Sequence, residues 1–299
     1  MKFLPTLCFC ASFFAVAARA DSVVLFIGDG MGVNHMKCAG KALFMDTLPV
    51  QTTFKTYSAD NAITDSAAGG TAFSCGVKTN NEYVAITPDK KPCVTLTEQS
   101  VADGLTTGLY STDETTGATQ ACFFAHTDRW DKDGILRALE KIKATTDTAF
   151  ELPDLKSNAR AFLEKAAKTG KPFFLMMEQS RIDSKSHKHE FDDAMAAVID
   201  LDDAVRVAVD FSKNRPDMTV VIVADHETGG LTEQCRYTEP EHTGADVRLI
   251  AAGKHASLFA DVKDNTDVHD RILTVLRKKD GFASALSDFF RRMKSFPAD

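Results

Sequence analysis

Apolar runs of strand length alternate with helical patterns along this chain, and that alternation limits its fold more than any other feature. The runs are SVVLFIG (22–28), VQTTFKT (50–56), GLYST (108–112), PFFLMME (172–178), MTVVIVA (218–224) and VRLIAA (247–252). Between them lie helical patterns such as NARAFLEKAAKTG (158–170) and DDAMAAVIDLDDAVRVAVDFSK (192–213). This order predicts an α/β fold with a mainly parallel sheet, because parallel strands need helical crossovers. Several runs are apolar throughout, as strands covered on both faces are. We therefore expect a three-layer αβα sandwich. No linker, repeat or low-complexity block interrupts the pattern, so residues 21–299 are expected to form one domain.

The first twenty residues stand apart. Lys2, the apolar stretch from Phe3 to Val16 and the triplet Ala18-Arg19-Ala20 have the charged, hydrophobic and small-residue parts of a secretory signal peptide. The stretch is short for a hydrocarbon core of ~30 Å, so an exported protein without a stable membrane anchor is expected, in a periplasm or outside the cell. Loss of Lys2 and Arg19 leaves 33 basic against 42 acidic residues, a net charge of −9, which argues against nucleic acid as a partner. Cys38, Cys75, Cys93, Cys122 and Cys235 remain, an odd number with no zinc-type CxxC spacing, so at least one is unpaired within the chain. Cys75, in a helix of small residues, reads as a buried apolar group.

In parallel sheets ligands bind beyond the carboxyl ends of the strands, so the polar residues there carry the functional signal. Asp29 follows the first run within FIGDGMG, Glu178 closes the fourth, and Asp225-His226 follow the fifth within VADHETGG. Acidic groups gathered on one rim repel one another unless cations lie between them. Asp183 and His187 would share one face of a helix in EQSRIDSKSH, at a spacing that lets both reach one ion. His242 adds a third histidine in a loop before the last run. Histidine and carboxylate together suit zinc, and Glu178 with a hydroxyl suits magnesium. In ITDSAAGGTAFSCG, Ser66 at a helix start is either an N-cap or a nucleophile.

FIGDGMG, TDSAAGGTAFSCGVKT, EQSRIDSKSH, VADHETGG and EHTGADVRLIAAG, taken in order, resemble the successive motifs of the alkaline phosphatase family. The resemblance implies a phosphomonoesterase with two Zn²⁺ ions and one Mg²⁺ ion, acting on small phosphate monoesters. Ser66 would be the nucleophile. Asp29, Asp225 and His226 would hold one zinc, and Asp183, His187 and His242 the other. Glu178 and Asp29 would help hold magnesium, with Thr119 from the segment after the third run. Asp65 would orient neighbouring groups or serve as a helix-start acid. Arg129, after Ala125-His126, would clamp the phosphoryl oxygens, with Arg181 in reserve.

The sequence departs from the family in several places, among them a short segment of about fifty residues between Arg129 and Glu178 with no visible glycine-rich strand. Gly117 stands where many relatives carry Asp or His, and Ser184 where Lys, His or Trp is common, so weaker phosphate binding is expected. Only TEQCRYTEPE separates Gly230 from His242, so the crown-type insert is absent or very small and the implied homodimer loses its usual contact. Other ester chemistry of the same superfamily, phosphodiester or sulfate hydrolysis, stays open here, as does a weakly catalytic metal- or phosphate-binding relative.

Overall fold

The structure, a computed structural model, describes residues 20–277. The signal peptide expected at 1–20 thus lies almost wholly outside the described residues. Seven strands form one sheet in the order β2 (Val50–Phe54), β11 (Val247–Gly253), β8 (Met218–Val223), β1 (Ser22–Gly28), β7 (Phe173–Gln179), β4 (Thr106–Ser111) and β6 (Thr146–Ala149). Only β11 runs against its neighbours; β8, β1, β7, β4 and β6 pair in parallel. The sandwich is as expected, with strand ends within two residues of the apolar runs. β6 is the strand that the apolar pattern misses. Its sequence TDTA is half-exposed at the sheet edge and pairs only with β4, so it needs no apolar run.

β1, β7 and β8 are buried along their whole length, which requires cover on both faces. Helices α6 (Lys156–Thr169) and α8 (Phe191–Ser212) pack together against the sheet. A second group comprises α2 (Ser66–Cys75), α3 (Leu96–Ala102) and α9 (Asn265–Leu276). Short helices α1 (Val33–Lys37), α4 (Ala118–Ala121) and α7 (Arg181–Ser186) lie in connections near the strand ends, and α5 (Lys132–Ile142) precedes β6. Two-residue ladders, β3 (Tyr83–Val84) with β5 (Thr127–Asp128) and β9 (Glu227–Thr228) with β10 (His242–Thr243), tie down the loops on that rim. Cys38 and Cys235 form a disulfide that fastens the 231–241 loop to the end of α1. Cys75, Cys93 and Cys122 are free, and Cys75 is only partly buried, with its thiol on the Cys93 carbonyl oxygen at 3.5 Å. Among the described residues no helix is long and apolar enough to cross a membrane.

Candidate metal centre and nucleophile

The parallel order β8-β1-β7-β4 brings four carboxyl ends to one rim. Asp225, Asp29, Glu178 and Asp113 therefore come from adjacent strands, and the first three are almost wholly buried. The register sets Glu178 beside Ile27 on one side and Ser111 on the other, and the Ser111 hydroxyl donates to Glu178 Oε2 at 2.6 Å. Burial pushes the carboxyls of Asp29 and Glu178 well above their usual range, and the charges of Asp225 and Asp113 respectively push further. Burial and the Asp183 charge push Asp225 up to about 7. So many mutually repelling carboxylates in one place are what bound cations relieve.

Unpaired atoms point the same way. Asp29 Oδ1, Asp225 Oδ2, Glu178 Oε1 and Thr119 Oγ1 are buried and have no hydrogen-bond partner of normal geometry. Such groups are rare unless something else satisfies them. The Thr119 hydroxyl lies near enough to Glu178 to favour its charged form, which suits the oxygen-rich surroundings of a hard cation.

The histidines are oriented for coordination. His187 Nδ1 lies 2.7 Å from the Pro240 carbonyl oxygen, and His242 Nδ1 lies 3.0 Å from that of Thr64. A carbonyl only accepts, so both Nδ1 atoms donate and both Nε2 atoms present lone pairs. Those Nε2 atoms face each other at 3.1 Å, with Asp183 Oδ1 at 3.3 and 3.4 Å from them. Three acceptors at that separation fit a cation between them. Burial alone would raise the Asp183 pKa; protonated histidines in the place of a cation, His242 first through its bond, would instead hold the carboxyl well below its usual range.

Thr228 joins this group to a second one. Its hydroxyl donates to Asp183 Oδ1 at 2.5 Å and lies 3.2 Å from His226 Nδ1. With its one proton given to Asp183, it accepts from Nδ1–H, which leaves His226 Nε2 unprotonated. That atom lies 3.3 Å from Asp29 Oδ1, 3.5 Å from Asp225 Oδ2 and 3.2 Å from Ser66 Oγ. The ligand atoms of Asp29, Asp225 and His226 all lie within 4.8 Å of one another, and so do those of Asp183, His226 and His242. The His226 and His242 rings stack with centroids 3.6 Å apart.

Ser66 is the first residue of α2 and Asp65 is its N-cap, accepting from Ala68 N–H at 2.9 Å. A Cβ on Gly69 would meet that of Asp225 at 3.0 Å, so glycine lets the helix start close over the acidic strand end. Both readings of Asp65 hold, because its other oxygen accepts from Arg129 Nη1 at 2.8 Å and from the Glu82 N–H at 2.9 Å. Ser66, Arg129, Asp29, Thr119 and Asp183 line one cleft of about 260 Å³. Arg181, the reserve candidate, is elsewhere, its guanidinium bound to the carbonyls of Leu152 and Pro153. A larger cavity, about 630 Å³, is walled by residues 55–62, Lys78 and Gly244 and contains none of the acidic strand ends.

Asp113 and Thr228 belong to the site but escape sequence reasoning. Asp113 fills the space beside Gly117, where a Cβ would lie 1.9 Å from Asp113 Oδ2. The signal for Thr228 was its place in HETGG, two residues after His226, on the strand that pairs with His242.

Comparison with known proteins agrees with this geometry. The alkaline phosphatase family model matches residues 20–149 and 134–238. Repressible alkaline phosphatase of Saccharomyces cerevisiae is 25% identical, over 94% of this chain and 73% of that protein. Alkaline phosphatase 3 of Bacillus subtilis is 27% identical, over 86% and 71%. The solved alkaline phosphatase of the Antarctic bacterium TAB5 superposes with a TM-score of 0.78 at 22% identity, covering 87% of this chain and 99% of that one. Sequence, fold and a rim built for cations converge: this chain belongs to the alkaline phosphatase family and is a metal-dependent phosphoester hydrolase.

Proposed function

We propose that the protein hydrolyses phosphate monoesters through a phosphoserine formed on Ser66, with two zinc ions and one magnesium ion as resident metals. Asp29, Asp225 and His226 would hold one zinc; Asp183, His187 and His242 would hold the other. Asp29, Thr119 and Glu178 would hold the magnesium, an ion that a variant of the TAB5 enzyme also binds. When bound, such ions supply positive charge to the attacking and leaving oxygens and lower the pKa of water. The observation that carries the reading is Ser66 Oγ at 3.2 Å from the Nε2 of His226, where the two ligand groups meet.

The chain's own residues account for the remaining steps. Ser66 Oγ, its proton passed to solvent, forms a bond to phosphorus as the ester bond breaks, and the leaving alkoxide takes a proton from water to depart as the alcohol. Water then attacks the phosphoserine, releasing inorganic phosphate and returning the hydroxyl. The N–H groups at the start of the ten-residue helix α2 and its dipole favour the phosphoryl oxygens. Arg129 would grip two non-bridging oxygens, its fork held by Asp65 through the 2.8 Å bond. The leader read in residues 1–20 would export the enzyme, a setting in which the Cys38–Cys235 bridge persists.

The test compares a chromogenic phosphate monoester with diester and sulfate analogues, using the zinc- and magnesium-loaded chain and Ser66→Ala. Monoester turnover at alkaline pH that falls by orders of magnitude in the variant is expected. A parent that prefers the sulfate or the diester, or a variant with undiminished turnover, refutes the reading.

A further inference from the structure

We infer that Trp130 is the leaving-group platform of this site and selects phosphate monoesters whose leaving group is a flat aromatic ring, as in aryl phosphates and nucleoside monophosphates. The inference rests on the phosphomonoesterase reading and adds a substrate class to it.

Trp130 is the only tryptophan in the chain, and 63% of its surface is open to solvent. It lines the same cleft as Ser66 and Arg129. Every other side chain of that lining is polar or no larger than alanine. The phosphoryl end of a substrate belongs at Ser66, which is only 7% exposed, so the alcohol end must extend outward toward the rim. On that rim Trp130 offers the one broad apolar surface. A flat ring stacking there would shed water from both faces in contact, which a small alkyl group cannot match.

The backbone that carries the ring is fixed before any substrate arrives. Trp130 lies in the short link between β5 and α5; its backbone N–H donates to Asp128 Oδ1 at 2.9 Å, and its backbone carbonyl accepts from Lys132 N–H at 2.9 Å. The Arg129 guanidinium carbon lies 5.1 Å from the ring centroid. This contact sets one part of the ring beside Arg129, whose own position is fixed by Asp65 at 2.8 Å, and the ring's exposure leaves area for a second stacking partner. Preorganisation of this kind lowers the entropic cost of stacking.

The experiment measures kcat and KM on the metal-loaded enzyme for p-nitrophenyl phosphate and adenosine 5′-monophosphate against glycerol 2-phosphate, in parent, Trp130→Ala and Trp130→Phe. Trp130→Ala should raise KM for the two aromatic substrates on the order of tenfold and leave glycerol 2-phosphate within about twofold, with Phe restoring most of the difference. Because Trp130 is the sole indole, its fluorescence reports binding directly. In Ser66→Ala, adenosine 5′-monophosphate should quench it, and inorganic phosphate should quench it less. Equal losses on all three substrates would make Trp130 a positioning residue for Arg129 and overturn the proposal, as would equal quenching by both ligands. A parent that hydrolyses none of the monoesters would instead refute the underlying reading, and the proposal with it.

Discussion

Thr228→Val tests the hydrogen-bond chain that ties the two ligand groups together. The Thr228 side chain is fully buried, donates to Asp183 Oδ1 at 2.5 Å and accepts from His226 Nδ1 at 3.2 Å. Valine keeps nearly the same volume but removes both bonds, leaving an Asp183 lone pair and the His226 N–H unsatisfied. A hydrogen bond to a charged group contributes roughly 1.5–3 kcal/mol. At about 1.4 kcal/mol per factor of ten, that corresponds to roughly 10–100-fold in metal affinity, the range typical of residues that orient metal ligands. Zinc affinity should be measured by competition with a chromogenic chelator, with circular dichroism to establish that the variant is folded. Thr228→Ser keeps the hydroxyl and should bind zinc nearly as the parent does. A folded Thr228→Val with parental zinc affinity would refute the reasoning, since Asp183 and His226 would then be oriented without it.

Two further outcomes follow from contacts outside the ligand groups. The Cys38–Cys235 bridge joins residues 197 apart, for which chain entropy sets a stabilisation of up to about 5 kcal/mol; Cys235→Ser should melt well below the oxidised parent and close to the reduced parent, and a parent whose melting ignores reductant contradicts this. His126 Nε2 lies 3.0 Å from Glu98 Oε1, and that bond raises the His126 pKa. Its stabilisation is therefore complete below ~6.5, the unfolded value, and is lost as pH rises through the higher folded value. Burial pushes Glu98 up, but the His126 bond and charge together with the bonds from Thr95 hold it below its usual range, so its share is lost only in acid. Denaturant unfolding across neutral pH should show this decline in the parent and not in His126→Gln; identical profiles would show that the pair is uncoupled.

How much the sequence reveals depends on whether a residue acts through its own position or through a partner. β1, β7 and β8 are legible because strands buried on both faces must be apolar throughout. Asp29, Glu178 and Asp225 are legible because a polar residue ending such a run has few other reasons to be there. β6 is not, being half-exposed at an edge, and the two-residue ladders are too short to leave a period. The Cys38–Cys235 pairing is beyond reach, since five cysteines allow many connectivities. Thr228 is hidden for a different reason: its role follows from which of its neighbours can accept a proton, and that requires the geometry of Asp183 and His226 together.

Gly117 shows how a departure from a family pattern can be misread when only one position is considered. Absence of a side chain there suggests an emptier site. In the structure, a Cβ at 117 would lie 1.9 Å from Asp113 Oδ2, so the glycine leaves room for a carboxylate carried four residues earlier in the chain. Burial raises the Asp113 pKa, and the charges of Glu114 and Asp183 add to that, while its own charge is the chief neighbouring charge raising Glu178. The place is thus filled by an acid on the rim that also carries Asp29 and Glu178, which strengthens the case for a cation there. Nothing cationic is gained for the phosphate, however. Ser184, on the same cleft lining, is uncharged as well. The acid and the neutral hydroxyl together leave Arg129 as the guanidinium of the cleft, with Lys132 drawn to Glu114 at 2.9 Å, so the proposal of weakly held product rests on charge rather than on want of a side chain, and phosphate inhibition as tight as in relatives with a cation at these positions would refute it.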